Sequence, residues 1–158
     1  MASIDDSSIK AGCADSRHVG LASGNRPHWF NGRREVFIHT TSINSRTFDF
    51  RHPFMVFLDK VETSKVFLRD TTIISPYALL LFGGSISIQH QTGSVTVDSW
   101  LKMNAPAQSA VVFKELRLAF RSILQELLQK PKERATVAER EVIHSIRQLL
   151  VDEEKPQL

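Results

Sequence analysis

The sequence predicts an α+β protein: a small, mainly antiparallel Greek-key barrel with a short connecting helix, followed by two amphipathic helices. Three observations carry that prediction. Between Glu35 and Val97, apolar and polar residues alternate in several short runs at the period of two that strands impose. After Pro106 the apolar residues recur at the three and four residue steps of a helix. Between the alternating runs, "SPYALLLFGG" sets five consecutive apolar residues, Ala78 to Phe82, between a Ser-Pro pair and a Gly-Gly pair.

The elements follow in order. Residues 1–27 are rich in Ser, Gly, Ala and Asp without sustained periodicity and read as a disordered leader. Trp29 and Phe30, followed by the turn pair Asn31-Gly32, mark the expected start of ordered structure. "RREVFIHT" reads as a strand with Val36 and Ile38 on one side and Phe37 and His39 on the other. "TSINSRTFDFRHP" is turn chemistry, and "FMVFLDKVET" opens a strand behind Pro53, where a missing N–H is tolerated. "SKVFLRDTT" alternates again, with Val66 and Leu68 facing one way and Lys65, Phe67 and Arg69 the other. The intervening Glu62-Thr63-Ser64 is short enough for a hairpin, and Asp70 reads as a turn cap rather than an acid or base.

Ser75 and Pro76 supply an N-cap and a first helical residue, and Gly83-Gly84 ends the helix. A helix apolar on most sides is core, and this run falls far short of the roughly 20 residues a membrane span needs. "SISIQHQTGSVTVDSWLKM" gives a second hairpin across Gln91-Thr92-Gly93. Strand, strand, short helix, strand, strand is the pattern of an OB-fold-like barrel over 28–105. From 106 to 152 two amphipathic helices follow. The first carries Ala110, Phe113, Leu116, Phe120, Ile123, Leu124, Leu127 and Leu128, with Lys114, Arg117, Arg121 and Gln125 as a solvated outer face. The second opens on a Thr136/Glu139 capping box ahead of Val142, Ile143, Ile146, Leu149 and Leu150, and residues 153–158 form a tail.

Composition removes several function classes. The single cysteine, Cys13, forms no internal disulfide, and the six histidines are scattered without zinc spacing, so a reducing compartment is expected and no structural metal is implied. The N-terminus is acidic and lacks the apolar core of a signal peptide, so an intracellular location is expected. The net charge of +3 is unevenly placed: residues 26–69 hold eight Lys/Arg against four Asp/Glu, whereas the segment from Lys114 onward is nearly balanced. A basic first half suits a polyanion, although a solvated basic face explains it equally well.

The stretches "GRREVFIHTTSINSR", "FLDKVETSKVFLRDTTIISPYALLLFGG" and "VTVDSWLKMNAPAQSAVVFKELR" resemble the C-terminal OB-fold region of DEAH/RHA-type (DExH-box) ATP-dependent RNA helicases, in the branch containing plant members. The resemblance runs from about Trp29 to Leu150. The family usually reads His-Pro-Ser-Ser where this chain has His39-Thr40-Thr41-Ser42, which leaves the turn without its proline. It also carries a strand ahead of Trp29 that the polar leader does not replace. A truncated or alternatively started product, with a barrel lacking its first strand, is therefore expected. The chain has no G-x-x-x-x-G-K-[ST] and no D-E-x-H box, so it is not an ATPase by itself; ATP and Mg would bind only the absent helicase core.

The resemblance implies an accessory domain over that core, which helps hold single-stranded RNA and in some members receives activator proteins. The barrel itself points to basic and aromatic side chains on one strand face and its loops. Lys65 and Arg69 flank Phe67 at strand spacing. Lys60 and Thr63 border the preceding turn, while His39, Ser42, Asn44 and Arg46 follow the earlier strand. For His39, Ser42 and Asn44 a turn role outweighs RNA contact, and Phe67 belongs to the core unless its face is open. Phosphate and sugar contacts would make binding salt-sensitive and sequence-tolerant. The competing reading is a protein-interaction module that docks on a RecA-like helicase core or an activator protein. No membrane partner is expected.

Overall fold

The computed structural model describes residues 12–15, 27–89, 91–131 and 134–155. The chain divides into two compact units, one ending at Pro76 and the other beginning at Tyr77.

The first unit is an OB fold. Its strands are β1 (Gly12–Asp15), β2 (Trp29–Phe30), β3 (Glu35–Ile38), β4 (Phe54–Glu62) and β5 (Val66–Ile74), with a 3-10 turn at Ile43–Arg46 between β3 and β4. They close into a barrel in the order β1-β2-β3-β5-β4, with β4 returning to β1. Every pairing is antiparallel except β3 with β5, which run parallel through Phe37 with Phe67 and Ile38 with Leu68. Five strands in a Greek-key ring are the OB architecture.

Local chemistry explains the turns. Asn31 Oδ1 accepts from the N–H groups of Arg33 and Arg34 at 3.2 and 3.1 Å, and Gly32 takes φ 86°, so the β2–β3 link is an Asx turn. The His39–Ser42 turn forms without its proline: Ser42 N–H donates to the His39 carbonyl at 2.9 Å. In β5, Asp70 has φ 49°, a left-handed residue inside a strand. Before it Val66 and Leu68 are buried; after it Thr71 is buried and Ile73 packs on the core, so the alternation shifts by one residue there. The core itself gathers Ala14, Trp29, Val36, Met55, Phe57, Val66 and Leu68. Burying one large side chain of this kind contributes about 1.5–3 kcal/mol.

Three expectations need correction. The leader expected over 1–27 contains a strand, since β1 pairs along β4 from Gly12 opposite Phe57 to Asp15 opposite Phe54; the rest of that segment, 1–11 and 16–26, lies outside the described residues. The ring therefore has its first strand. Four small residues carry no legible period, yet they suit this place, because a Cβ on Gly12 would stand 2.7 Å from Phe57 Cζ. The apolar helix does not interrupt the barrel either: it follows β5, and the 3-10 turn occupies the link between β3 and β4. The second hairpin joins a separate sheet rather than the ring.

That sheet belongs to the second unit, whose elements are α1 (Pro76–Phe82), β6 (Ile86–Gln89), β7 (Ser94–Val97), β8 (Leu101–Asn104), α2 (Ala107–Gln129) and α3 (Val137–Glu153). Strands β6, β7 and β8 form an antiparallel meander, and β8 was not separated from β7 in the sequence. Asp98 and Ser99, at φ 51° and 66°, make the β7–β8 turn. Helix α1 buries Leu79, Leu80 and Leu81, as its expected core role requires, but Phe82, the last residue of the apolar run expected to fill the core, is 53% exposed. Its C-terminal carbonyls are not left to solvent. Arg117 on α2 donates to the Leu80 carbonyl at 3.1 Å and also to those of Gly83 and Gly84. Burial, with Arg121 nearby, pushes the Arg117 guanidinium pKa down, against a raising influence from Asp98. Arg117 is thus a structural clasp rather than part of a solvated outer face. On α2, Ala110 and Ile123 are buried, whereas Leu124 and Leu128 of the expected apolar stripe are exposed. The expected capping box at Thr136 and Glu139 is formed, and residues 156–158 of the tail lie outside the described residues.

Candidate nucleic-acid interface

In an OB barrel, oligonucleotides are bound across the second and third strands and at the loops joining strands 1–2 and 4–5. Here that face is β2 and β3, and the 4–5 loop is the turn Thr63–Lys65. The turn is held by its own polar groups: Thr63 N–H donates to the Lys65 carbonyl at 2.9 Å, and Lys65 N–H reaches Thr63 Oγ1 at 3.5 Å. It presents Lys65 at the surface with Nζ 4.4 Å from the centre of the Phe37 ring, a cation–π contact. Phe37 in turn lies 6.0 Å from Phe67, its register partner on β5, and His39 meets the same Phe67 edge-on at 6.0 Å.

The eight residues singled out in the sequence separate into groups. Lys65 and His39 converge on the Phe37–Phe67 pair. His39 is anchored by its N–H to the Leu68 carbonyl at 2.9 Å and by Nδ1 against Thr41 Oγ1 at 2.7 Å. Thr63 shapes the adjacent turn, and Lys60 is a half-buried residue of β4 opposite Leu68. Arg69 is half-buried opposite Asp59, with its Nε buried and unpartnered among the described residues. Arg46 ends the 3-10 turn and is exposed.

Ser42 and Asn44 are engaged inward. Ser42, 7% exposed, places Oγ 2.6 Å from Thr71 Oγ1, while Asn44 Nδ2 donates to the Thr71 carbonyl at 2.8 Å and to its Oγ1 at 3.0 Å. They tie the 3-10 turn to β5. Sequence reasoning passed over Phe37, although its alternation had already placed it beside His39. It also passed over Arg34, which pairs with Glu62 at 2.7 Å.

Beside this face lies a cleft of about 260 Å³, whose walls include Trp29, Phe37, Asn44, Phe50 and Phe67. Trp29 meets Phe50 edge-on at 5.3 Å. Among the described residues, no group of three or more His, Cys, Asp or Glu side chains is placed to hold a metal ion, and no helix is long and apolar enough to cross a membrane.

Comparison with known proteins matches both units. The family described as oligonucleotide/oligosaccharide-binding (OB) fold matches residues 10–86, and the C-terminal domain in RNA helicases matches residues 93–152. The chain is 55% identical over 130 residues to the DExH-box ATP-dependent RNA helicase DExH4, chloroplastic, of Arabidopsis thaliana, a match covering 82% of this chain and 9% of that protein. It is 45% identical over 96 residues to the ATP-dependent RNA helicase dhx29 of Xenopus laevis, covering 60% of this chain and 7% of the relative. Against the human ATP-dependent DNA/RNA helicase DHX36 it is 39% identical over 98 residues, covering 61% and 10%. The chain thus spans a tenth or less of the length of these relatives.

Proposed function

The chain belongs to the DExH-box RNA helicase family, as its OB-fold and C-terminal-domain region, and from this premise we propose that it binds single-stranded RNA and regulates a helicase core without hydrolysing ATP itself. One observation carries the RNA reading: the Lys65 ammonium rests on Phe37 beside Phe67, at the strand face and loop where OB barrels hold oligonucleotides. Exposed cations there take phosphates, and ring faces take bases without regard to sequence. On this reading Arg69, Lys60, Thr63, His39 and Arg46 are further candidate contacts, and Ser42 and Asn44 hold the 3-10 turn against β5. ATP and Mg are, on the same reading, bound by a helicase core rather than by this chain, which spans a tenth or less of its ATP-dependent relatives. The protein acts inside the cell, in the nucleus, the cytoplasm or an organelle.

The test is an amide proton-nitrogen NMR titration with a short oligouridine at low salt, alongside the Lys65→Glu/Arg69→Glu variant. Shifts centred on Lys60 to Arg69, and an affinity loss of roughly tenfold or more in the variant that shrinks as salt rises, are expected. Dispersed peaks that do not move with RNA would refute the reading.

The exposed apolar residues of α2, among them Val112, Leu118 and Leu128, favour a second reading as a protein-docking module for a RecA-like core or an activator protein. Under that reading the same charge reversals leave docking intact.

A further inference from the structure

We propose that the turn at Asn31-Gly32 is a self-modification site, where the main-chain nitrogen of Gly32 attacks the Asn31 side-chain amide and converts it, through a cyclic imide, to aspartate and isoaspartate. The proposal is independent of what the barrel binds. It rests on how this turn differs from the surroundings of Asn44 and Asn104, the other asparagines among the described residues.

The attacking nitrogen is open at one of the three alone. Gly32 has no side chain to shield it, takes φ 86°, and its N–H enters no hydrogen bond among the described residues. After Asn44, the Ser45 N–H donates to the Ser42 carbonyl at 3.0 Å; after Asn104, the Ala105 N–H donates to the Gly93 carbonyl at 3.1 Å.

The carbonyl under attack is also prepared. Asn31 Oδ1 accepts from the Arg33 and Arg34 N–H groups at 3.2 and 3.1 Å, so two main-chain donors already face the oxygen that becomes an oxyanion in the tetrahedral intermediate. Its Nδ2, the leaving group, is held by nothing among the described residues, whereas Asn44 Nδ2 donates to the Thr71 carbonyl and to Thr71 Oγ1.

The step balances without oxidant, reductant or cofactor. Gly32 N gives its proton to water and bonds Asn31 Cγ; the Cγ–Nδ2 bond breaks, and the nitrogen leaves as ammonia with a proton from water. Water then opens the imide at Cγ to give aspartate, or at the main-chain carbonyl to give isoaspartate. Aspartate keeps the turn, because a carboxylate accepts more strongly from the same N–H groups, and it lowers the chain's net charge of +3 by one. Isoaspartate routes the main chain through the side chain, and the added methylene displaces the pairing of Trp29 with Val36 and Phe30 with Glu35.

The experiment ages the full chain in warm buffer at neutral and mildly alkaline pH, with peptide mapping by mass spectrometry that separates aspartate from isoaspartate. Conversion of Asn31 should outrun that of Asn44 and Asn104 by roughly tenfold or more in the same digests. It should also quicken as pH rises, since the attacking nitrogen must lose its proton. A synthetic peptide of residues 28–36 separates turn from sequence. Conversion in the folded chain at or above the peptide's rate is expected; a folded-chain rate tenfold or more below it would show that the turn shields the site and would overturn the proposal, as would Asn31 converting no faster than Asn44 and Asn104.

Discussion

Ser42 shows how a polar residue in a recognition loop can be committed elsewhere. Its hydroxyl is 2.6 Å from Thr71 Oγ1, and that oxygen also accepts from Asn44 Nδ2, so one buried threonine fastens the 3-10 turn to β5. Replacing Ser42 with Ala removes one of these bonds and leaves the other. A destabilisation of about 1 kcal/mol is expected, with RNA affinity unchanged within twofold, measured by thermal melting and fluorescence anisotropy. An unaltered Tm with weakened binding would return Ser42 to the RNA surface. The pairing was hidden in the sequence because its members are 29 residues apart and each looks like ordinary turn chemistry. The Lys65–Phe67 side of the site was legible for the opposite reason: strand alternation is local, and it places residues on a face before any tertiary contact is known.

At the scale of elements, α3 carries the clearest local signal. Thr136 N–H donates to Glu139 Oε2 at 2.6 Å, and Glu139 N–H donates to Thr136 Oγ1 at 3.3 Å. Hydrogen bonding from the Thr136 backbone first, and from its hydroxyl second, holds the Glu139 carboxyl below its ordinary range. The sign follows: a depressed folded-state pKa gives stabilisation that is present above the unfolded value and lost as pH falls through the folded one. Helical circular dichroism should therefore decline on acidification below the usual glutamate range, and Glu139→Gln should blunt the Glu139-linked part of that decline. Thr136→Ala should cost about 1 kcal/mol at neutral pH. Caps, helix periods and alternating runs are all written over a few residues, which is why α1, α2, α3 and most strands were legible. Which sheet a strand joins is not written there. "SISIQ" and "SVTV" alternate as well in a meander as in a barrel, and only their pairing with Leu101–Asn104 decides. Four residues as small as "GCAD" need a partner strand before they become one.

Over the whole molecule, the first unit's ring depends on that short strand. β1 is the only described element between β2 and β4, pairing with both. A chain beginning at His28 would expose the backbone groups of Phe54 to Phe57 as an open edge. Size-exclusion chromatography of that truncation should show higher oligomers or aggregates, while the intact chain elutes as a smaller species; identical elution would mean that β1 is dispensable. The same topology has a bearing on synthesis. Gly12 meets Phe57, about 45 residues later in the chain, and a ribosome adding about 5–20 residues per second needs several seconds to supply it. Through that interval β1 waits without β4, the partner along which all four of its residues pair. Made of Gly, Cys, Ala and Asp, it gives a passing nascent chain little apolar surface to grip. The blandness that concealed it in the sequence is also what lets it wait.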